Sequence, residues 1–154
     1  MTRDDIKDAI DAFFEAVEGR CEPEERHSKL RMALDRLALA THFVDFTFDG
    51  TDYPEAPKCE YNTKRQLISN AFPDLGYYNV ANKISVKIGD SAADVGDAID
   101  DICDIANDLE EVLWYWKNTS VDDALWHLDN SFKYHWGMHL RNLQLYLYAK
   151  DFGW

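Results

Sequence analysis

The sequence lacks the features that mark secreted and membrane-spanning proteins. Its three cysteines are odd in number and widely spaced, with no CxxC pair, so we expect them to be reduced thiols of a cytoplasmic protein. No run approaches the roughly 18 consecutive apolar residues that a spanning helix needs. The N-terminal segment MTRDDIKDAIDAF also lacks the basic-then-apolar order of a signal peptide. We therefore expect a cytoplasmic location and no membrane span.

Positive charge is also scarce. The chain has 16 Lys and Arg residues against 29 Asp and Glu residues, which gives a formal net charge of −13. Nucleic acids and anionic membrane surfaces would be repelled by such a chain, so neither is expected as a partner. A protein with a basic surface is the electrostatically natural partner. Acidity that only serves solubility is the alternative, and the sequence leaves it open.

The composition is that of an ordinary globular protein. The chain has 154 residues, of which 46% are hydrophobic and 29% are charged. A chain of this length can bury roughly two-thirds of its unfolded surface without disulfides or metals. We find no internal repeat, no low-complexity tract and no linker that would divide the chain. The sequence therefore predicts one domain over residues 1–154.

Apolar residues recur at helical spacing in five segments. We predict helices over about residues 3–18, 23–44, 63–72, 93–117 and 120–148, with a long loop between the second and the third. The last two helices are joined by only two or three residues, so they should pack antiparallel. Residues 84–88 alternate like a strand, but a segment without an obvious partner is expected to be an extended connector. The predicted fold class is an all-α bundle of about five helices.

Two histidines lie on the apolar face of the fifth predicted helix. His135 and His139 are four residues apart, so their rings should occupy adjacent turns of one side and point toward the core. This spacing is typical of metal-binding helices. The metalloprotease pattern is absent, because Trp136 and Gly137 follow the first histidine where that pattern has a glutamate. Further ligands would have to come from another helix.

The fourth predicted helix carries a ladder of aspartates beside its apolar stripe. Part of this ladder lies about as many residues before Thr119 as the two histidines lie after it. In antiparallel helices these residues should therefore lie side by side. We therefore predict one polar cluster, made of His135, His139, Asp101, Asp104 and Asp108. Three interpretations stay open: a hydrogen-bonded structural network, a divalent metal site, and a ligand or proton-transfer site. The predicted metal ligands are His135, His139, Asp101 and Asp108.

Three stretches of the sequence resemble a known family. They are the FPDLGYYNV turn, the aspartate ladder and the HWGMH segment at residues 135–139. From about Tyr53 to the C-terminus the chain resembles an uncharacterised bacterial family, the domain of unknown function numbered 5063. The resemblance implies an all-helical fold and supplies no activity. The positions that match its pattern are Asp97, Asp101, Asp104, His135, Gly137 and His139. A glycine within a helix also suggests that a neighbouring element approaches Gly137 closely.

Two functional hypotheses follow. The first is a non-enzymatic protein that binds a basic protein partner, such as a regulator or a toxin-neutralising immunity-type protein, because no nucleophile–base pair or phosphate-binding loop is evident. Its acidic docking face would be Asp97, Asp100, Asp104, Asp108 and Glu111. Tyr146, Leu147 and Tyr148 would supply buried anchors or a homodimer seam. The alternative is a metal-dependent hydrolase or metal-binding protein that uses the His/Asp cluster. No cofactor is expected apart from this divalent metal.

Overall fold

The protein is mostly helical, with a small antiparallel sheet inserted between its helices. The computed structural model describes residues 1–20, 22–90 and 92–153. The helices are α1 (Arg3–Glu18), α2 (Pro23–Ala40), α3 (Tyr61–Ala71), α4 (Ala98–Asn118), α5 (Val121–Ser131) and α6 (Gly137–Phe152). A 3₁₀ turn, Thr41–Phe43, follows α2, and a π-helical turn, Phe132–Trp136, joins α5 to α6 without a break. The strands are β1 (Tyr77–Ala81) and β2 (Ala93–Asp97).

Helix α4 lies at the centre of the bundle. It contacts α1, α3, α5 and α6, and its apolar stripe is fully buried among them. The fully buried side chains include Ile6, Ile10 and Phe13 of α1, Leu30, Leu34 and Leu37 of α2, and Ile102, Ile105 and Leu109 of α4. None of the helices in the part of the chain that the structure describes is long and apolar enough to cross a membrane.

The expected all-α class is wrong in one respect, because residues 77–97 form a β-hairpin. Strand β1 begins within the predicted FPDLGYYNV turn and ends one residue after it, and β2 occupies the predicted beginning of the fourth helix. That helix starts later because the Asp97 side chain accepts a hydrogen bond from the Ile99 backbone N–H at 3.0 Å and caps it. Residues 84–88 lie in the loop between the strands, where Ile84 and Ile88 are exposed. The alternating apolar residues of this segment therefore do not pack against the core.

The tight connection between α4 and α5 sets the register of the site. Helix α4 ends at Asn118, and the Ser120 hydroxyl caps α5 by accepting from the Asp123 backbone N–H at 3.1 Å. Moving away from this connection, residues of decreasing number on α4 lie beside residues of increasing number on the last helix. The prediction that these helices pack antiparallel is confirmed by this order of contacts.

The π-helical turn changes which residues of the last helix face the core. Here the Gly137 backbone N–H bonds to the Phe132 carbonyl, five residues back, so one residue is inserted relative to a regular α-helix. From the end of the turn onward the buried positions are Trp136, Gly137, Leu140, Leu143 and Leu147. A constant helical period instead predicts His135, His139 and Tyr146 in the core. The inserted residue moves both histidines to the edge of the buried face.

Gly137 is required by the π-helical turn itself. A Cβ at this position would lie 2.3 Å from the Phe132 carbonyl oxygen and 3.0 Å from the Phe132 ring. The expected close approach is therefore present, but it comes from the preceding turn of the same helix rather than from a neighbouring element. A side chain here would push against this carbonyl and disturb the turn.

Candidate metal centre

The five residues of the predicted polar cluster meet where α4 and the last helix pack together. His135 Nδ1 lies 2.7 Å from Asp108 Oδ2, and His139 Nδ1 lies 2.8 Å from Asp101 Oδ1. The second nitrogen of His139, Nε2, lies 3.5 Å from Asp104 Oδ2. The two imidazole rings are 5.1 Å apart between centroids and nearly perpendicular.

The hydrogen bonds set the proton positions on both rings. Because a carboxylate accepts at Nδ1 of each histidine, each ring carries its proton on Nδ1 when neutral. The lone pair is then on Nε2, the atom that a metal ion would use. No polar group of the described residues lies within hydrogen-bonding distance of Nε2 of His135.

Three residues of the cluster form a candidate ligand set. Asp104, His135 and His139 each offer one ligand atom, and these atoms all lie within 4.8 Å of one another. The His135 side chain is 50% exposed, while Asp104 and His139 are partly buried. One carboxylate and two imidazoles open to solvent suit a divalent transition metal that keeps a vacant position for another ligand.

The ligand set differs from the predicted one. Asp101 and Asp108 were expected to bind a metal directly, but they lie behind the two rings and hold their Nδ1 atoms. Asp104, which belongs to the predicted cluster but not to the four predicted metal ligands, lies beside Nε2 of His139. The π-helical turn explains this difference between the predicted and the observed ligands. Compared with a regular α-helix, it moves the two rings from the core toward the outer side of the aspartate ladder.

Burial and hydrogen bonding shift the acidities of the cluster. The hydrogen bond that His139 donates to Asp101 raises the pKa of His139 above its usual value. Burial raises the pKa of Asp104 and of Asp108, although the neighbouring histidines act in the opposite direction. Protons therefore compete for these sites more strongly than for the same groups in water.

Tyr78 of strand β1 completes the cluster and was missed in the sequence. Its hydroxyl donates to Asp101 Oδ2, so this buried carboxylate holds Tyr78 on one oxygen and His139 on the other. Burial raises the pKa of Tyr78, which therefore keeps its proton and acts as a donor. Its ring stacks on Tyr146 at 4.7 Å between centroids. The aromatic FPDLGYYNV segment was noticed, but without the hairpin its side chains could not be placed.

Replacing Tyr78 with phenylalanine is expected to lower the metal affinity about tenfold, because Asp101 would lose one of the two groups that fix its orientation. Tyr146→Phe is the matched control, since the Tyr146 hydroxyl contacts only the Gly76 backbone N–H at 3.4 Å among the described residues. Metal titration of both variants measures the difference. Equal affinities in Tyr78→Phe and wild type would contradict the assigned role of Asp101.

Without metal, the protein is expected to lose stability as the pH rises above about 6.5. The folded state keeps the His139 proton to higher pH than the unfolded chain, so this stabilisation is complete below a pH of about 6.5 and is lost above it. Burial lowers the pKa of His127, which acts in the opposite direction. Thermal unfolding in chelator should therefore compare wild type with His139→Asn. A pH dependence that is identical in the two proteins would refute the prediction.

The predicted docking face is largely engaged within the chain. Its members are Asp97, Asp100, Asp104, Asp108 and Glu111. Arg65 donates to Asp97 at 2.6 Å, and the Tyr61 hydroxyl donates to Asp100. The next two carboxylates face the histidines, and Glu111 is the exposed member of the set. The docking role stays a prediction.

The proposed seam at Tyr146, Leu147 and Tyr148 is also largely engaged within the chain. Leu147 is buried in the core, and Tyr146 stacks on Tyr78. Tyr148 is about half exposed, so it is the member of this set that a second copy could reach. A homodimer through these three residues stays a prediction.

The fold and the cluster together define a mostly helical protein. Its His/Asp cluster lies between α4 and the continuous helix made of α5, the π-helical turn and α6. The chain belongs to the family described as domain of unknown function DUF5063, which matches residues 51–150 and includes all five cluster residues. The expected family is thus confirmed. The crystal structure of protein BF1032 from Bacteroides fragilis is similar, with a TM-score of 0.70 at 15% identity over 96% of this chain and 87% of that chain. At this identity the likeness shows the fold alone. Among curated proteins, no sequence matches the chain.

Proposed function

We propose that the protein binds one divalent transition metal ion through Asp104, His135 and His139. The observation that carries this proposal is the convergence of their ligand atoms within 4.8 Å, on rings whose other nitrogens already contact carboxylates. A carboxylate behind a histidine is the usual arrangement around a bound metal, because it orients the ring and makes Nε2 a better donor.

The donor set indicates the class of metal. Imidazole and carboxylate ligands suit Zn²⁺, Fe²⁺, Co²⁺ and Ni²⁺, and the third position of the usual hydrolytic zinc site is also a carboxylate. Cys103 lies on α4 beside Asp104, but it is buried, and burial raises the pKa of its thiol to about 12. A protonated thiol does not bind these ions. The ligand atoms of the site are therefore nitrogen and oxygen.

The exposure of His135 favours this proposal over a purely structural network. In a structural network the polar atoms would be buried and hydrogen-bonded to each other. Half of the His135 side chain is instead open to solvent, with its Nε2 directed away from its carboxylate partner. A bound ion in this position would lower the pKa of a coordinated water and supply a nucleophile. Hydrolysis is thus the reaction class to which the site is best suited.

Metal titration of chelator-treated protein tests the proposal. We expect one Zn²⁺ per chain by elemental analysis, and loss of this ion in Asp104→Asn, which removes the carboxylate charge at nearly constant volume. His42→Ala is the matched control, because His42 is exposed and lies outside the cluster. Binding that is absent in wild type, or that is equal in Asp104→Asn and His42→Ala, would overturn the proposal.

A further inference from the structure

The surroundings of the candidate centre are strongly acidic. Four carboxylates lie close together on α4: Asp100 and Asp101 are adjacent, and Asp104 and Asp108 follow one and two turns further along. The Arg65 guanidinium pairs with Asp97 at 2.6 Å and also contacts Asp100 at 3.4 Å. Two neutral imidazoles add no charge, so the carboxylates outweigh a divalent ion by two negative charges. The net charge of −13 extends the same field over the whole protein.

Asp100 places one of these negative charges at the edge of the candidate metal centre. It lies one helical turn before Asp104, and its side chain is 48% exposed. Both of its contacts, from the Tyr61 hydroxyl and from Arg65 Nη1 at 3.4 Å, fall on Oδ1. Within the described chain, no donor lies at hydrogen-bonding distance from Oδ2. This oxygen is therefore an acceptor that a ligand can reach from solvent.

The vacant position of a bound ion and the free Oδ2 of Asp100 together suit one kind of ligand. His135 is half exposed and belongs to the ligand set, so an ion held there is accessible from solvent. A ligand that fits needs a neutral donor atom for the ion and a positive group for the carboxylate of Asp100. Anions such as phosphates and carboxylic acids meet an unfavourable field even with the ion bound.

We propose that the ligand of this centre is an amine- or guanidine-bearing molecule, whose cationic group contacts Asp100 while a neutral donor atom occupies the vacant metal position. This inference rests on the proposed function, because it requires the ion to be bound. It adds the class of ligand, which the metal site alone leaves open.

Three imidazole probes with the same donor atom and different tail charges test the inference. They are 1-(3-aminopropyl)imidazole, 1-propylimidazole and 3-(imidazol-1-yl)propanoic acid, which carry a positive, a neutral and a negative tail at pH 7. Their affinities are measured on the Co²⁺-loaded protein from its visible absorption at low ionic strength. We expect the cationic probe to bind about tenfold more tightly than the anionic one, with the neutral probe between them.

Two substitutions separate the local charge from the charge of the whole protein. Asp100→Asn should reduce the difference between the cationic and anionic probes about threefold. Asp11→Asn removes the same charge from the exposed side of α1 and should leave the difference unchanged. Equal binding of the three probes, or equal effects of the two substitutions, would overturn the inference while leaving the metal site in place. Absence of a cobalt spectrum would instead refute the proposed function, and the inference with it.

Discussion

Insertion of one alanine after Lys133 is expected to destabilise the protein by about 3–6 kcal/mol, the burial energy of about two leucine side chains. Lys133 is an exposed residue of the π-helical turn, which already accommodates one extra residue while α5 and α6 both keep their buried faces in the core. A second extra residue, continued as a regular helix, would turn the buried face of α6 around Leu140 by about 100° from that of α5 around Leu125. Only one of the two faces could then remain in the core.

Lys133→Ala is the matched control for this insertion. It keeps the number of residues and removes only the contact of Lys133 with Asp129, an exposed ion pair worth about 0.5 kcal/mol or less. Denaturant unfolding measures the stability of both variants, and zinc titration measures the site. We expect the insertion variant to lose metal binding and Lys133→Ala to retain it. An insertion variant with unchanged stability and affinity would show that the number of residues in the turn does not set the direction of the histidines.

Replacement of His139 with alanine is expected to lower the zinc affinity more than about a hundredfold, since removing a ligand should cost more than removing a residue behind it. The same change should destabilise the metal-free protein by about 2–3 kcal/mol. Asp101 is only 7% exposed and would lose one of its two hydrogen-bonding partners. This loss is smaller than that of a fully buried pair, because Tyr78 remains and the His139 side chain is itself 28% exposed.

His135→Ala separates the two effects of this substitution. The His135 ring is half exposed, and its partner Asp108 is more accessible than Asp101. We therefore expect the zinc affinity to fall as far as in His139→Ala, while the stability of the metal-free protein changes by less than about 1 kcal/mol. Loss of stability without loss of metal affinity in His139→Ala would favour a structural network over a metal centre.

The sequence was sufficient to predict which residues meet in the cluster. The short connection around Thr119 determines the register of α4 against the last helix, and a four-residue spacing is enough to place His135 and His139 on neighbouring turns. Both inferences depend on local geometry and on the number of residues from the turn, which the sequence states directly.

The direction of the rings could not be predicted in the same way. One helical period from Ser120 to Tyr148 does not describe this segment, because the π-helical turn adds a residue near Phe132. Gly137 was the visible signal of this turn, since a side chain there would collide with the Phe132 carbonyl. Tyr78 was missed for another reason. It pairs with Gly96, 18 residues further along the chain, and strands of five residues leave little periodicity to detect.

The two hydrogen bonds at Nδ1 have a consequence for how an ion would be acquired. Both rings are held by carboxylates before any ion arrives, and both belong to helices whose cores are complete without it. Folding would therefore not wait for the ion, unlike folding of a zinc finger. An ion could leave and be replaced by another while the chain stays folded, so the occupant at any time would reflect which ions the surroundings supply.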